Sequence, residues 1–316
     1  MLSITSSRSV LHRIVVVTAV ALLAASCGGD ESSTPTPDTP TVMATTSIWA
    51  DVTANIACDG LATVETIMPV AADPHAFEPS LADRAKMERA DLIVANGLTL
   101  EDGLDDTLGA VEKSGVAVFR IAEYINSIVP SYPDGRGGTR ADDPHVWFDP
   151  QRTTAGLSEL AAQLVEHAGL DAAEVDACLE RYREQLAGLD QQIEQRFATI
   201  PVDQRLLVTS HDSLGYLADR YGFAVLGAVI PAPSTLAEAN PAQLERLATL
   251  IDDTKVKAIF AEDQHSTKDV DALAARVGDI EVVSLLTGNL GEPGSGSETY
   301  LGMLESNAAL IEMALR

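Results

Sequence analysis

The chain has 316 residues, with 47 Asp and Glu against 21 Lys and Arg, and a formal net charge of −26 at pH 7. A surface this acidic repels phosphate backbones and excludes nucleic acid as a partner, while 4% aromatic content gives no support to an adhesive surface. The length exceeds the ~100–200 residues of a typical domain, which predicts one large or two medium lobes.

Residues 1–26 read as a secretory signal: Arg8 and Arg13 precede an apolar run over 14–25 that is too short to span a bilayer. Small residues then lead into Cys27, and a small-residue site ending at cysteine is similar to a bacterial lipobox, although position −3 is Ala24. Cys27 is therefore expected to carry lipid, to become the mature N-terminus and to hold the protein on the outer side of a membrane. Residues 27–41 are rich in Ser, Thr, Pro, Asp and Gly; they cannot bury a core and read as a flexible tether.

From there, short apolar runs alternate with helical stretches, at 42–48, 64–70, 92–95 and 116–121, then at 206–209, 224–229, 257–261 and 281–286. Continuous apolar strands between helices predict parallel sheets buried on both faces, hence two parallel-sheet α/β lobes over 42–170 and 201–316. Between them Val175, Leu179, Tyr182, Leu186, Leu189, Ile193 and Phe197 recur at helical spacing. This predicts one long rigid helix within 171–200, about 42 Å over roughly 28 residues, that packs along both lobes. Cys58 and Cys178 are the two cysteines besides Cys27; an even remainder in an exported chain predicts a disulfide between them.

The chemistry lies in the histidines. The chain has six, and two of them occur in a repeated pattern, Asp73-Pro74-His75-Ala76-Phe77-Glu78-Pro79 and Asp143-Pro144-His145-Val146-Trp147-Phe148-Asp149-Pro150. Proline fixes its own φ and restricts the residue before it, so each imidazole is presented on a stiffened turn. Open parallel sheets bind ligands at the carboxyl ends of their strands. His75 follows the run ending at 70, His211 the run 206–209, and Glu262, Asp263 and His265 the run 257–261. Opposed carboxyl edges would bring His75, His145 and His211 together in the cleft between the lobes, and three neutral imidazoles suit zinc or another late divalent metal. His167 lies in a helical stretch without ligand-like neighbours and reads as an ordinary helix residue. Trp147 and Phe148 read as packing residues, and Asp73 and Asp143 as turn braces or acceptors for a ring N–H.

These motifs, with Ser210-His211-Asp212-Ser213-Leu214-Gly215-Tyr216, Tyr221-Gly222 and Gly291-Glu292-Pro293-Gly294-Ser295-Gly296, resemble the zinc/manganese-type solute-binding lipoproteins of bacterial ABC transporters. The resemblance covers essentially the whole chain after the leader. It implies two lobes joined by a single long helix, one metal ion between them held by His75, His145 and His211, and delivery of that ion to a permease in the cytoplasmic membrane. Members with His at the third position look like zinc binders, whereas Glu there leans to manganese. The sequence departs from the family at the usual fourth ligand, an Asp, where Thr287 is followed by Gly288 and Asn289. Glu262, Asp263, His265, an Asn289 oxygen or water are the substitutes, with Glu262 nearest the strand end. The expectation is a monomeric zinc carrier, with Mn²⁺ as the alternative ion. A three-His zinc hydrolase is the rival, and no HExxH helix supports it.

Overall fold

The computed structural model describes residues 39–58, 60–129, 142–264, 266–278 and 280–316; Cys27, the leader, most of the tether and His265 lie outside them. Strands β1 (Thr41–Ala44), β2 (Thr63–Thr66), β3 (Leu92–Ala95) and β4 (Ala117–Arg120) form a parallel sheet in the order β2-β1-β3-β4. Strands β5 (Leu206–His211), β6 (Ala224–Ile230), β7 (Ala258–Glu262) and β8 (Glu281–Leu285) form a second in the order β6-β5-β7-β8, also parallel throughout. The helices are α1 (Ser47–Ile56), α2 (Leu81–Met87), α3 (Asp105–Lys113), α4 (Pro150–His167), α5 (Ala172–Phe197), α6 (Gly215–Tyr221), α7 (Pro241–Thr254), α8 (Lys268–Val277) and α9 (Tyr300–Leu315). Among the described residues no helix is long and apolar enough to cross a membrane.

Burial on both faces explains why the central strands are apolar without interruption, whereas the edge strand β2 reads Thr63-Val64-Glu65-Thr66 and is largely exposed. Val42, Ala44, Leu92 and Val94 face one core and Met43, Ile93 and Ala95 another, because successive strand residues point to opposite faces. In the second sheet Leu207, Ala258 and Phe260 face the first of these cores, and Val208, Ile259 and Ala261 face a third. One core is therefore shared by the inner faces of both sheets. It also takes in Val175, Leu179, Tyr182, Leu186, Leu189, Ile193 and Phe197 of α5 and Tyr300, Met303, Leu304 and Ile311 of α9. Asp171 caps α5 by accepting from the N–H groups of Ala173 and Glu174 at 2.9 and 3.0 Å. At 26 residues this helix is about 39 Å long. Cys58, after α1, is bonded to Cys178 in the first half of α5, with the Cα atoms 5.6 Å apart.

Several strands are bounded differently from the apolar runs. The run 42–48 splits because Thr46 caps α1, its hydroxyl accepting from Trp49 N–H at 3.4 Å, so that Ser47 and Ile48 are helical. The run 64–70 ends early as the chain approaches Pro69, which has no N–H to give to a ladder. Conversely β5 and β7 reach further than predicted, and His211 and Glu262 are the last residues of their strands.

Candidate metal centre

The two proline turns are built alike. The Asp73 carboxylate accepts the backbone N–H of His75 at 3.0 Å, and the Asp143 carboxylate accepts that of His145 at 2.9 Å. Each Asp thus closes a tight turn over its proline and fixes where the following imidazole starts. The first turn follows β2, and its Asp73 also accepts from the Thr235 hydroxyl of the second lobe at 2.6 Å. The second is followed by a buried 3₁₀ turn over Val146–Phe148 and by α4, which starts on Pro150 with Asp149 as its cap. His211 needs no turn, because the end of β5 delivers it directly.

These elements place His75, His145 and His211 in one cluster, each only 2–3% exposed. Nε2 of His145 lies 3.3 Å from Nε2 of His75 and 3.1 Å from Nε2 of His211. Ligand nitrogens 2.0–2.1 Å from a tetrahedral zinc ion stand about 3.3 Å apart, so the spacing fits a single ion. One candidate ligand atom from each of the three residues can be chosen so that all lie within 4.8 Å of one another.

Carboxylates behind the rings set their orientation. Oδ1 of Asp143 lies 2.7 Å from Nδ1 of His145, and Oε1 of Glu262 is in direct contact with Nδ1 of His211. An Nδ1–H donated to each carboxylate leaves Nε2, once it carries no proton, aimed at the cluster, the arrangement by which an acid behind a ligand histidine fixes its tautomer and raises its basicity. Burial, with the neighbouring His211 charge, holds His145 well below the ordinary imidazole range, so it stands neutral. Burial acts on His211 in the same sense but is outweighed by the Glu262 carboxylate beside it, with Asp212 and Asp143 adding to the pull, and this imidazole is raised. Burial pushes the Asp143 carboxyl up to about 7. Late divalent cations are the ligands that such a buried, lone-pair-lined cluster suits.

Of the substitutes for a fourth ligand, Glu262 stands behind His211, with Ser213 also donating to it at 3.2 Å. Asp263 gives its backbone N–H to Leu285 O at 3.2 Å. Asn289 donates its side-chain N–H to Ala72 O at 2.6 Å, just before the first proline turn. The segment carrying it is threaded against both turns, since Trp147 Nε1 donates to Thr287 O at 2.9 Å and a Cβ at Gly288 would meet the Pro74 ring at 3.0 Å. Sequence reasoning gave Trp147 a packing role only, and it missed Tyr216, which donates to Asp143 O at 2.8 Å and accepts from Ile128 N–H at 3.2 Å. Tyr216 in the motif after His211 was the available signal; its partner lies 73 residues away.

Two α/β lobes around a buried three-histidine cluster define a metal-binding protein of the two-lobed class. The family ZnuA, described as zinc-uptake complex component A periplasmic, matches residues 42–314, and the chain belongs to that family. It is 32% identical over 303 residues to the manganese-binding lipoprotein MntA of Bacillus subtilis, covering 92% of this chain and 94% of that one. It is 29% identical over 297 residues to the manganese ABC transporter substrate-binding lipoprotein scaA of Streptococcus gordonii, with the same coverage. The structure of the periplasmic zinc binding protein TroA from Treponema pallidum superposes with a TM-score of 0.79 at 29% identity, over 87% of this chain and 99% of that one. The protein is thus a substrate-binding component of a metal ABC transporter and not an enzyme.

Proposed function

We propose that this protein captures Zn²⁺ with His75, His145 and His211 and hands it to an ABC permease, while a lipid on Cys27 keeps it at the membrane surface as a monomer. The observation that carries the zinc reading is the donor set. The ligand atoms that cluster are imidazole nitrogens, and nitrogen donors suit zinc better than manganese, a harder ion that prefers carboxylate oxygen. In this reading Glu262 acts through His211, holding its ring and supplying negative charge near the ion.

The manganese reading has support of its own in the names of the Bacillus and Streptococcus relatives, and it requires Glu262 to contribute an oxygen directly. Metal-free protein titrated with zinc and manganese in competition separates the two. Zinc displacing manganese at equal concentration supports the proposal, and manganese holding its place against zinc overturns it.

A further inference from the structure

We infer that Asn96 and Glu101 are positioning residues for the metal site: one strained loop after β3 fixes the two proline turns that present His75 and His145. Gly97, Leu98 and Thr99 follow one another at φ 83°, 52° and 62°. Three successive left-handed residues are uncommon, and a β-branched threonine among them is an outlier that persists only where its surroundings over-determine it.

The Glu101 carboxylate supplies that determination. It is 1% exposed and accepts from Asn96 N–H at 2.6 Å, Gly97 N–H at 3.0 Å and the Thr45 hydroxyl at 2.6 Å. A buried carboxylate holding three donors ties the loop to the carboxyl end of β1 through charge-assisted bonds. Asn96 is thereby held with its side chain across the second turn. Its Nδ2 donates to Pro144 O at 3.0 Å and to Gly97 O at 2.9 Å, and its Oδ1 accepts from Trp49 Nε1 at 2.9 Å. Pro144 immediately precedes His145.

The same loop reaches the first turn from its other end. A Cβ at Gly103 would lie 2.3 Å from Phe77 O, so the backbone here abuts the backbone two residues past His75. Thr45 adds a second link, because its carbonyl accepts Met68 N–H at 3.1 Å on the way into that turn. The residues 96–104 are thus a common brace for two ligands 70 residues apart in sequence, acting through backbone rather than on the imidazoles.

This inference rests on the three-histidine site proposed above, and the test keeps the two separable. Asn96→Asp preserves shape and the bond from Trp49 but sets an oxygen against Pro144 O. The full chain is stripped of metal and titrated with Zn²⁺ against a chromophoric chelator, then with Co²⁺ for its d–d spectrum, beside wild type and His145→Ala. Zinc affinity should fall by on the order of tenfold, with an altered cobalt spectrum and a smaller thermal shift on adding zinc. Should Asn96→Asp not fold, Thr45→Val, which removes one donor to Glu101, should still cost about threefold in zinc affinity. Wild-type affinity and cobalt spectrum in both variants, with His145→Ala impaired, would overturn the brace and leave the site standing. A His145→Ala variant that binds like wild type would overturn both.

Discussion

Glu262 ends β7 and His211 ends the neighbouring β5, and the carboxylate of the first lies directly against Nδ1 of the second. Adjacent strand ends thus supply a histidine of the cluster and the acid that orients it. Removing that acid should cost metal affinity by roughly 10- to 100-fold. Glu262→Gln keeps an acceptor for Nδ1–H, so it should retain more zinc affinity than Glu262→Ala in a chelator competition. Equal losses in the two variants would instead mark the carboxylate as a direct ligand.

Zinc affinity should depend on pH through His211. Its folded-state pKa is raised, so in the metal-free protein it is protonated below that value and must release a proton to bind metal. Affinity therefore weakens as pH falls through the raised value, which lies above the ordinary imidazole 6.5. Its contribution to metal-free folding runs the other way, being full below the unfolded pKa and lost as pH rises through the folded one. Zinc titrations from pH 6 to 8, about the usual imidazole range, should show proton release; a flat profile would contradict the assignment.

An acid at position 288 would supply the Asp that the family resemblance implies for this turn, and the local geometry predicts what it costs. Gly288 is not among the positive-φ residues, so Asp meets no backbone strain there. A Cβ would nevertheless stand 2.8 Å from the Gln264 carboxamide and 3.0 Å from the Pro74 ring. Gly288→Asp should destabilise the metal-free protein by about 1–3 kcal/mol, read in chemical denaturation, while raising manganese affinity relative to zinc. Adding Gln264→Ala should recover stability, and its failure to do so would point to Pro74 as the obstacle.

The Cys58–Cys178 bond closes a 120-residue separation between the end of α1 and α5. Replacing both cysteines by serine should cost about 2–5 kcal/mol in chemical denaturation. The three clustered histidines are held by strand ends and proline turns, so zinc affinity at low temperature should change little. A large affinity loss in the folded double variant would show that α5 controls the site.

Much of this is legible in the sequence. The alternation of buried runs and helices named two parallel sheets because both faces of their central strands are covered, and the repeated Asp-Pro-His motif named two members of the histidine cluster because its proline and its Asp act within three residues. The strand limits were less visible, since Thr46 decides one through a single hydrogen bond and Pro69 another through a missing donor. Least visible were the braces. Asn96, Tyr216 and Thr287 meet the turn around His145 from 48, 73 and 140 residues away, and no local pattern encodes such pairings. Glu262 was found for its place at a strand end, but whether it touches the ion or the ring beside it depends on side-chain geometry that spacing does not specify.

X-ray absorption at the zinc edge of the metal-loaded full chain tests the central claim most directly. The account predicts a shell of three imidazole nitrogens about 2.0–2.1 Å from zinc, diminished by one in each of His75→Ala, His145→Ala and His211→Ala. A first shell of oxygens without imidazole scattering, or one unchanged in any of these variants, would contradict it.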